Sequence, residues 1–342
     1  VPLPGPTIGA MPPDPGNTAS RAITVDSLTK SFGHREVLHA ISFGIEKGSV
    51  FGVIGPNGAG KTTVMRCLLD IIRPTAGGST VLGENPRTAG PALRRRIGYL
   101  PGELFMEGRI TGRRLLSHYA DISGPVRPGR IDALAERLGL DLDRHTRKLS
   151  KGNRQKLGLV QAFMHDPELL VLDEPTSGLD PLVQQEFLTM VREAQGNGQT
   201  VFLSSHVLSE VQQAADKVAI LRDGRIITVA TVASLREGAV RHVRFTATGI
   251  SAADAGALLA RVPGIGHLEV LPAGDGVELS ATLGGAIQPL LQVLASLKLT
   301  ELVLEEPDLE ASVLELYGTI RGNGNGSGAD GKGRRRRKRH GA

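Results

Sequence analysis

Nine consecutive residues, Gly55, Pro56, Asn57, Gly58, Ala59, Gly60, Lys61, Thr62 and Thr63, carry the GxxxxGK[ST] spacing of a phosphate-binding loop. Its glycines let successive backbone N–H groups point inward around a polyphosphate. Lys61 is placed to reach the terminal phosphates, and the Thr62 hydroxyl is a candidate ligand for Mg2+. The preceding VFGVI (50–54) reads as a strand and the following residues as a helix, which is the context such a loop needs. The stretch is therefore expected to hold a nucleotide.

Two carboxylates belong to the same chemistry. ELLVLDEP (168–175) is a buried strand ending in Asp173, where an unpaired carboxylate would be costly and a hydrated Mg2+ is the natural partner. Glu174 follows at the strand mouth, where it could take a proton from an attacking water as general base. His206 closes the strand TVFLSS (200–205) and can hydrogen-bond a γ-phosphate or the water beside it. LSKGNRQKLG (149–158) reads as a helix opening whose Ser150 and Gly152 leave N–H groups bare at the positive end of the dipole, a second anion site. The eight other histidines show no metal-ligand spacing.

These residues need a scaffold. Strands are predicted at 22–25, 41–45, 50–54, 96–100, 168–173, 200–205, 217–221 and 225–229, with helices beginning near Lys61, Gly112, Arg130, Lys151, Pro181 and Val207. Strands without polar alternation, interleaved with helices, indicate an α/β fold with a parallel sheet covered by helices. The early runs and the RDG turn (222–224) suggest antiparallel strands at its edge. Past residue 238 the pattern becomes strand, helix, strand, strand, helix, strand over 240–305, a ferredoxin-like order. A last helix is expected at 309–318.

The expected organisation is a disordered N-terminal segment (1–21), a nucleotide-binding domain (22–238), an accessory α+β domain (239–320) and a flexible basic tail (321–342). Seven of the 40 basic residues lie within 332–339, so the chain's +5 charge belongs to the tail, and residues 1–331 sum to −2. That tail is a solvated appendage or a contact to an anionic leaflet, worth about 1 kcal/mol per basic residue before salt screening, with nucleic-acid contact the weakest reading. With 3% aromatic residues and no Trp, an aromatic nucleic-acid platform is not expected. A single cysteine, Cys67, rules out an internal disulfide framework. No run of 18 apolar residues is present, and residues 1–20 lack the basic and apolar regions of a secretory signal.

With the phosphate loop, LSKGN, LLVLDEP, SGLD (177–180) and His206 in this order, residues 22–235 resemble the nucleotide-binding subunit of an ATP-binding cassette transporter. The fold this implies is a P-loop NTPase core with a helical subdomain. The wording of 149–182 is most similar to bacterial drug and antibiotic exporters whose ATPase is separate from the membrane subunit. The resemblance implies ATP and Mg2+ as cofactors, with a membrane-spanning permease and a second nucleotide-binding subunit as partners. It places the chain in the cytoplasm, peripheral on the inner face of the membrane. It further implies that two cassettes meet head to tail, with Ser150 and Gly152 of one touching the γ-phosphate held by the other. Asp180 would run along that seam, and Phe32 would stack on adenine, against the competing expectation of a core Phe.

Two positions depart from the family pattern. Lys151 stands at a signature position usually held by Gly. Gly102 stands where the family has a Gln that approaches Mg2+, and the neighbouring Glu103 is a candidate substitute oxygen ligand. Rival functions are weaker. No NKxD motif supports a GTPase, and a kinase has no use for LSKGN or SGLD. A soluble cassette ATPase acting on ribosomes or DNA is the main alternative, although one phosphate loop and no coiled-coil insertion argue against it.

Overall fold

Strand β3 (Val50–Ile54) is buried at all five positions, which an apolar run without alternation requires. The computed structural model describes residues 20–104, 109–238 and 241–305. β3 lies inside a six-stranded sheet with β5 (Ile97–Leu100), β6 (Leu169–Asp173), β7 (Thr200–Ser205), β8 (Lys217–Arg222) and β9 (Arg225–Thr231). The order is β5-β6-β7-β3-β8-β9. All neighbours are parallel except β8 and β9, which meet antiparallel across the Asp223–Gly224 turn. β6 and β7 are also wholly buried, and they end side by side with Asp173 paired to Ser204.

The early strands behave differently from the expectation that they would extend this sheet's edge. β1 (Arg21–Phe32) and β2 (Arg35–Glu46) form a hairpin that pairs with β4 (Ala76–Val81) in a separate antiparallel sheet, ordered β2-β1-β4. Both hairpin strands run beyond their apolar stretches because register shifts carry the pairing past polar residues. Stacked Phe43 and Phe51, with Phe202 tilted against both, join the two sheets at ring separations of 5.6–6.1 Å.

α1 (Lys61–Leu68) leaves β3 through the phosphate loop, and its Val64, Met65 and Leu68 pack into the core shared by both sheets. α2 (Pro86–Arg94) was not legible in the sequence, because Pro86, Gly90 and Pro91 break the pattern and Gly90 kinks it. α3 (Gly112–Ser123) and α4 (Arg130–Arg137) pack on α5 (Lys151–Phe163) through Leu116, Leu134, Leu138 and Leu157. α6 (Pro181–Gly196) and α7 (Leu208–Ala214) follow β6 and β7, and α8 (Val232–Gly238) follows β9.

β10 (Arg241–Thr248), α9 (Ala252–Leu259), β11 (Ile265–Ala273), β12 (Gly276–Leu283), α10 (Gln288–Leu294) and β13 (Lys298–Leu304) complete the described chain. Their sheet is antiparallel throughout, ordered β11-β12-β10-β13, over a separate core that includes Phe245, Leu259, Leu279 and Leu290. The expected helix at 309–318, the tail at 321–342 and all but the end of the N-terminal segment lie outside the described residues. Among the described residues, no helix is long and apolar enough to cross a membrane.

Candidate functional site

The phosphate loop takes its shape from what surrounds it. Gly60 has φ +111°, and a Cβ there would lie 2.7 Å from Leu38 Cδ2, so only glycine fits. Gly60 also N-caps α1 without a side-chain hydrogen bond, which leaves the first-turn N–H groups to an anion at the positive helix end. Lys61 is buried beneath the loop. Its Nζ donates to the carbonyls of Gly55 (2.7 Å) and Pro56 (3.4 Å) and lies 3.2 Å from Glu174 Oε1.

β6 delivers the two carboxylates. Asp173 is fully buried, and its Oδ1 accepts from Ser204 Oγ at 2.6 Å. Its Oδ2 is buried with no hydrogen-bond partner. An orphaned buried carboxylate oxygen on the residue before Glu174, which lines the same cavity as Thr62, is an oxygen donor of the kind a hard cation takes. No group of three or more His, Cys, Asp or Glu side chains that could hold a metal occurs among the described residues. Few protein ligands suit Mg2+, which keeps several waters.

Glu174 adopts φ +48°, the left-handed region that residues other than glycine rarely enter. Its N–H donates to Ser204 Oγ at 2.9 Å. Its Oε2 lies 2.6 Å from His206 Nδ1. An ionised carboxylate only accepts, so that nitrogen carries the proton. Oε1 has no hydrogen bond, since the Lys61 contact is an ion pair off the hydrogen-bonding direction.

Loop residues Pro56 to Thr63, with Glu174 and Phe32, line one cavity of about 340 Å3. Phe32 is 51% exposed and lies under Lys30, whose Nζ is 4.8 Å from the ring centre, so it is not a core residue. Arg35 and Val37 share this wall and were missed in the sequence; the hairpin pairing of Phe32 with Arg35 brings them there. Tyr99 on β5 lies outside the cavity lining. Burial pushes its phenol above the usual range, the Asp173 charge adds to this, and Arg66 partly offsets both.

Other sequence-derived residues stand apart from this cavity. Ser150 and Gly152 are not in its lining. Ser150 N-caps α5, and its Oγ accepts from the Asn153 N–H at 3.2 Å. The capping hydroxyl satisfies one of the donors at this helix start. Asp180 N-caps α6 through the Val183 N–H at 3.1 Å. Glu103 is exposed and outside the cavity lining. The residue against Asp173 is Gly102, where a Cβ would lie 3.1 Å from Oδ2.

Comparison with known proteins adds to this geometry. Residues 38–177 match the family described as ABC transporter. The chain is 34% identical over 315 residues to the daunorubicin resistance ATP-binding protein of Streptomyces coeruleorubidus, covering 89% of this chain and 98% of that one. It is 36% identical over 211 residues to the bacitracin transport ATP-binding protein of Bacillus licheniformis, covering 61% and 69%. A solved structure of the ATP-binding subunit of an ABC transporter superposes with a TM-score of 0.59 at 27% identity, covering 63% of this chain and 92% of that one.

Proposed function

The chain belongs to the ABC transporter family, and on that premise we propose that it is the ATP-hydrolysing subunit driving export of a drug or antibiotic through a separate membrane subunit. It binds ATP and is an ATPase coupled to transport. Near full-length similarity to a daunorubicin resistance protein supports the cargo class. The observation that carries the catalytic reading is Glu174, held between Lys61 and His206 at the rim of the phosphate loop.

In this reading, Gly55 to Thr63 cradle the phosphates and Phe32 stacks on the adenine. Thr62 and Asp173 would hold Mg2+, which neutralises charge on the phosphates when bound. Glu174 accepts the proton of the attacking water through a carboxylate oxygen. His206 orients that carboxylate and faces the γ-phosphate. Lys61, bonded to two loop carbonyls, turns to the terminal phosphates when ATP enters, which frees Glu174 Oε1 for water. Ser150 and Gly152 of a second copy complete the phosphate site, and Asp180 lies along the seam between copies. Closure thus adds donors where charge develops.

Residues 22–238 form the cassette. The accessory domain is ferredoxin-like, a reading supported by its element order and antiparallel sheet. The chain works in the cytoplasm on the inner face of the membrane, bound to its permease, with the basic tail on anionic lipid. Lys61→Ala tests the core of this reading. ATP binding should weaken and turnover should vanish, and a variant with normal turnover would contradict the assignment.

A further inference from the structure

Gln155 lies five residues beyond Ser150 on α5 and is 4% exposed, one of few polar side chains in the core. Its Nε2 donates to the Glu174 carbonyl at 3.0 Å and to the Pro175 carbonyl at 2.9 Å. Both amide hydrogens are thereby used on the backbone of the loop that carries the base. Glu174 is held at its other end by Ser204 through its N–H. A residue at φ +48° persists only where its surroundings over-determine it, and these two clamps do so.

The same helix follows this loop further. A Cβ at Gly152 would lie 2.6 Å from the Gly178 carbonyl, so the helix start is pressed against residues 177–180. Lys156 Nζ lies 4.0 Å from Asp180 Oδ2. Positions 152, 155 and 156 share one helix face. The turn headed by Ser150 and the loop from Glu174 to Asp180 are therefore fastened along their lengths.

We propose that Gln155 is a positioning residue that transmits the state of the Ser150 turn to Glu174 of the same chain. The inference rests on the reading that Ser150 acts on the nucleotide held by the second copy. In such a dimer, each chain's Ser150 turn touches one nucleotide while its Glu174 serves the other. Gln155 is the link between the two sites, and filling one sets the base at the other.

Differently tagged chains allow mixed dimers in which one copy carries Lys61→Ala and cannot fill its own site. Turnover per intact site is then compared with and without Gln155→Met in the intact copy, alongside affinity for a fluorescent ATP analogue and thermal stability. With Gln155 present, disabling the second site should lower turnover at the intact site by about 5- to 150-fold. Gln155→Met should lower kcat by up to about 10²-fold with KM and analogue affinity unchanged, and should make the intact site indifferent to the second. Gln155→Asn, which keeps the amide one methylene short, should behave alike and supplies the comparison if the first variant folds poorly. Full dependence on the second site in a folded Gln155 variant, or an undiminished kcat, would overturn the proposal. A further mixed dimer whose partner carries Ser150→Ala in addition to Lys61→Ala separates the premise, since the one loop still able to bind ATP then faces the mutated turn. If adding that lesion leaves turnover at the intact site unchanged, the shared-site reading fails; if it abolishes turnover while the Gln155 variants stay coupled, only the present inference fails.

Discussion

His206 Nδ1 and Glu174 Oε2 lie 2.6 Å apart although 32 residues separate them in sequence. Adjacent parallel strands bring them together, since β6 and β7 end with Asp173 paired to Ser204 and each releases its next residues at the sheet's carboxyl edge. Ligands of open α/β sheets bind outside that edge. The imidazole therefore fixes one oxygen of the base and leaves the other toward Lys61 and the phosphate loop.

Glu174→Gln should keep the contact with His206 through its amide oxygen while losing the base. ATP hydrolysis should fall by about 10²- to 10⁴-fold with ATP affinity retained. Size-exclusion chromatography with ATP should show a lasting dimer. Near-normal turnover would remove Glu174 from its role.

Phe32 is exposed at the cavity wall, so its ring is available to a base and contributes little to the core. Phe32→Ala should weaken ATP binding by about 5- to 100-fold, the loss expected for one aromatic stack. Inorganic triphosphate, which has no base, should bind both forms equally, and the melting temperature should not move. Equal weakening for ATP and triphosphate would contradict stacking.

Gly102→Ala would crowd Asp173 Oδ2, whose space the glycine leaves open. The Mg2+ concentration for half-maximal ATPase activity should rise. Glu103→Ala removes an exposed side chain outside the cavity and should leave that concentration unchanged. The reverse pattern would make Glu103 the oxygen ligand that replaces the missing Gln.

The buried Cys67 thiol has its pKa pushed up to about 11 by burial, against a smaller opposing effect of Lys30. At pH 8 only about a thousandth of it is thiolate, the reactive form. The native chain should resist a thiol reagent at that pH, and denaturant should release one reactive thiol per chain. Rapid labelling of the native chain would show that α1 opens.

Much of this arrangement was legible in the sequence. β3, β6 and β7 each carry an apolar run without polar alternation and are followed directly by Gly55, Glu174 and His206, so strand and site residue announce each other. The helix starts at 112, 151 and 181 were also readable, because Thr111, Ser150 and Asp180 are capping residues. What was hidden depends on tertiary contact. β4 reads AGGSTV, with little apolar pattern, and becomes a strand because β1 pairs with it. The separate hairpin sheet, the cavity walls at Arg35 and Val37, and the bonds from Gln155 to the Glu174 loop have no local signature.

The central claim, that each ATP is enclosed by the loop of one copy and the Ser150 turn of another, is tested most directly by mixing two inactive chains. Lys61→Ala and Ser150→Ala are each expected to be inactive alone. In a mixed dimer one site keeps both an intact loop and an intact turn. ATPase activity should rise above both parents on mixing, to about a quarter of the wild-type rate for random pairing in twofold dimers whose sites act independently, and about 5- to 150-fold below that where the empty second site slows the whole one through Gln155. Activity that stays at the mean of the two parents would contradict the claim.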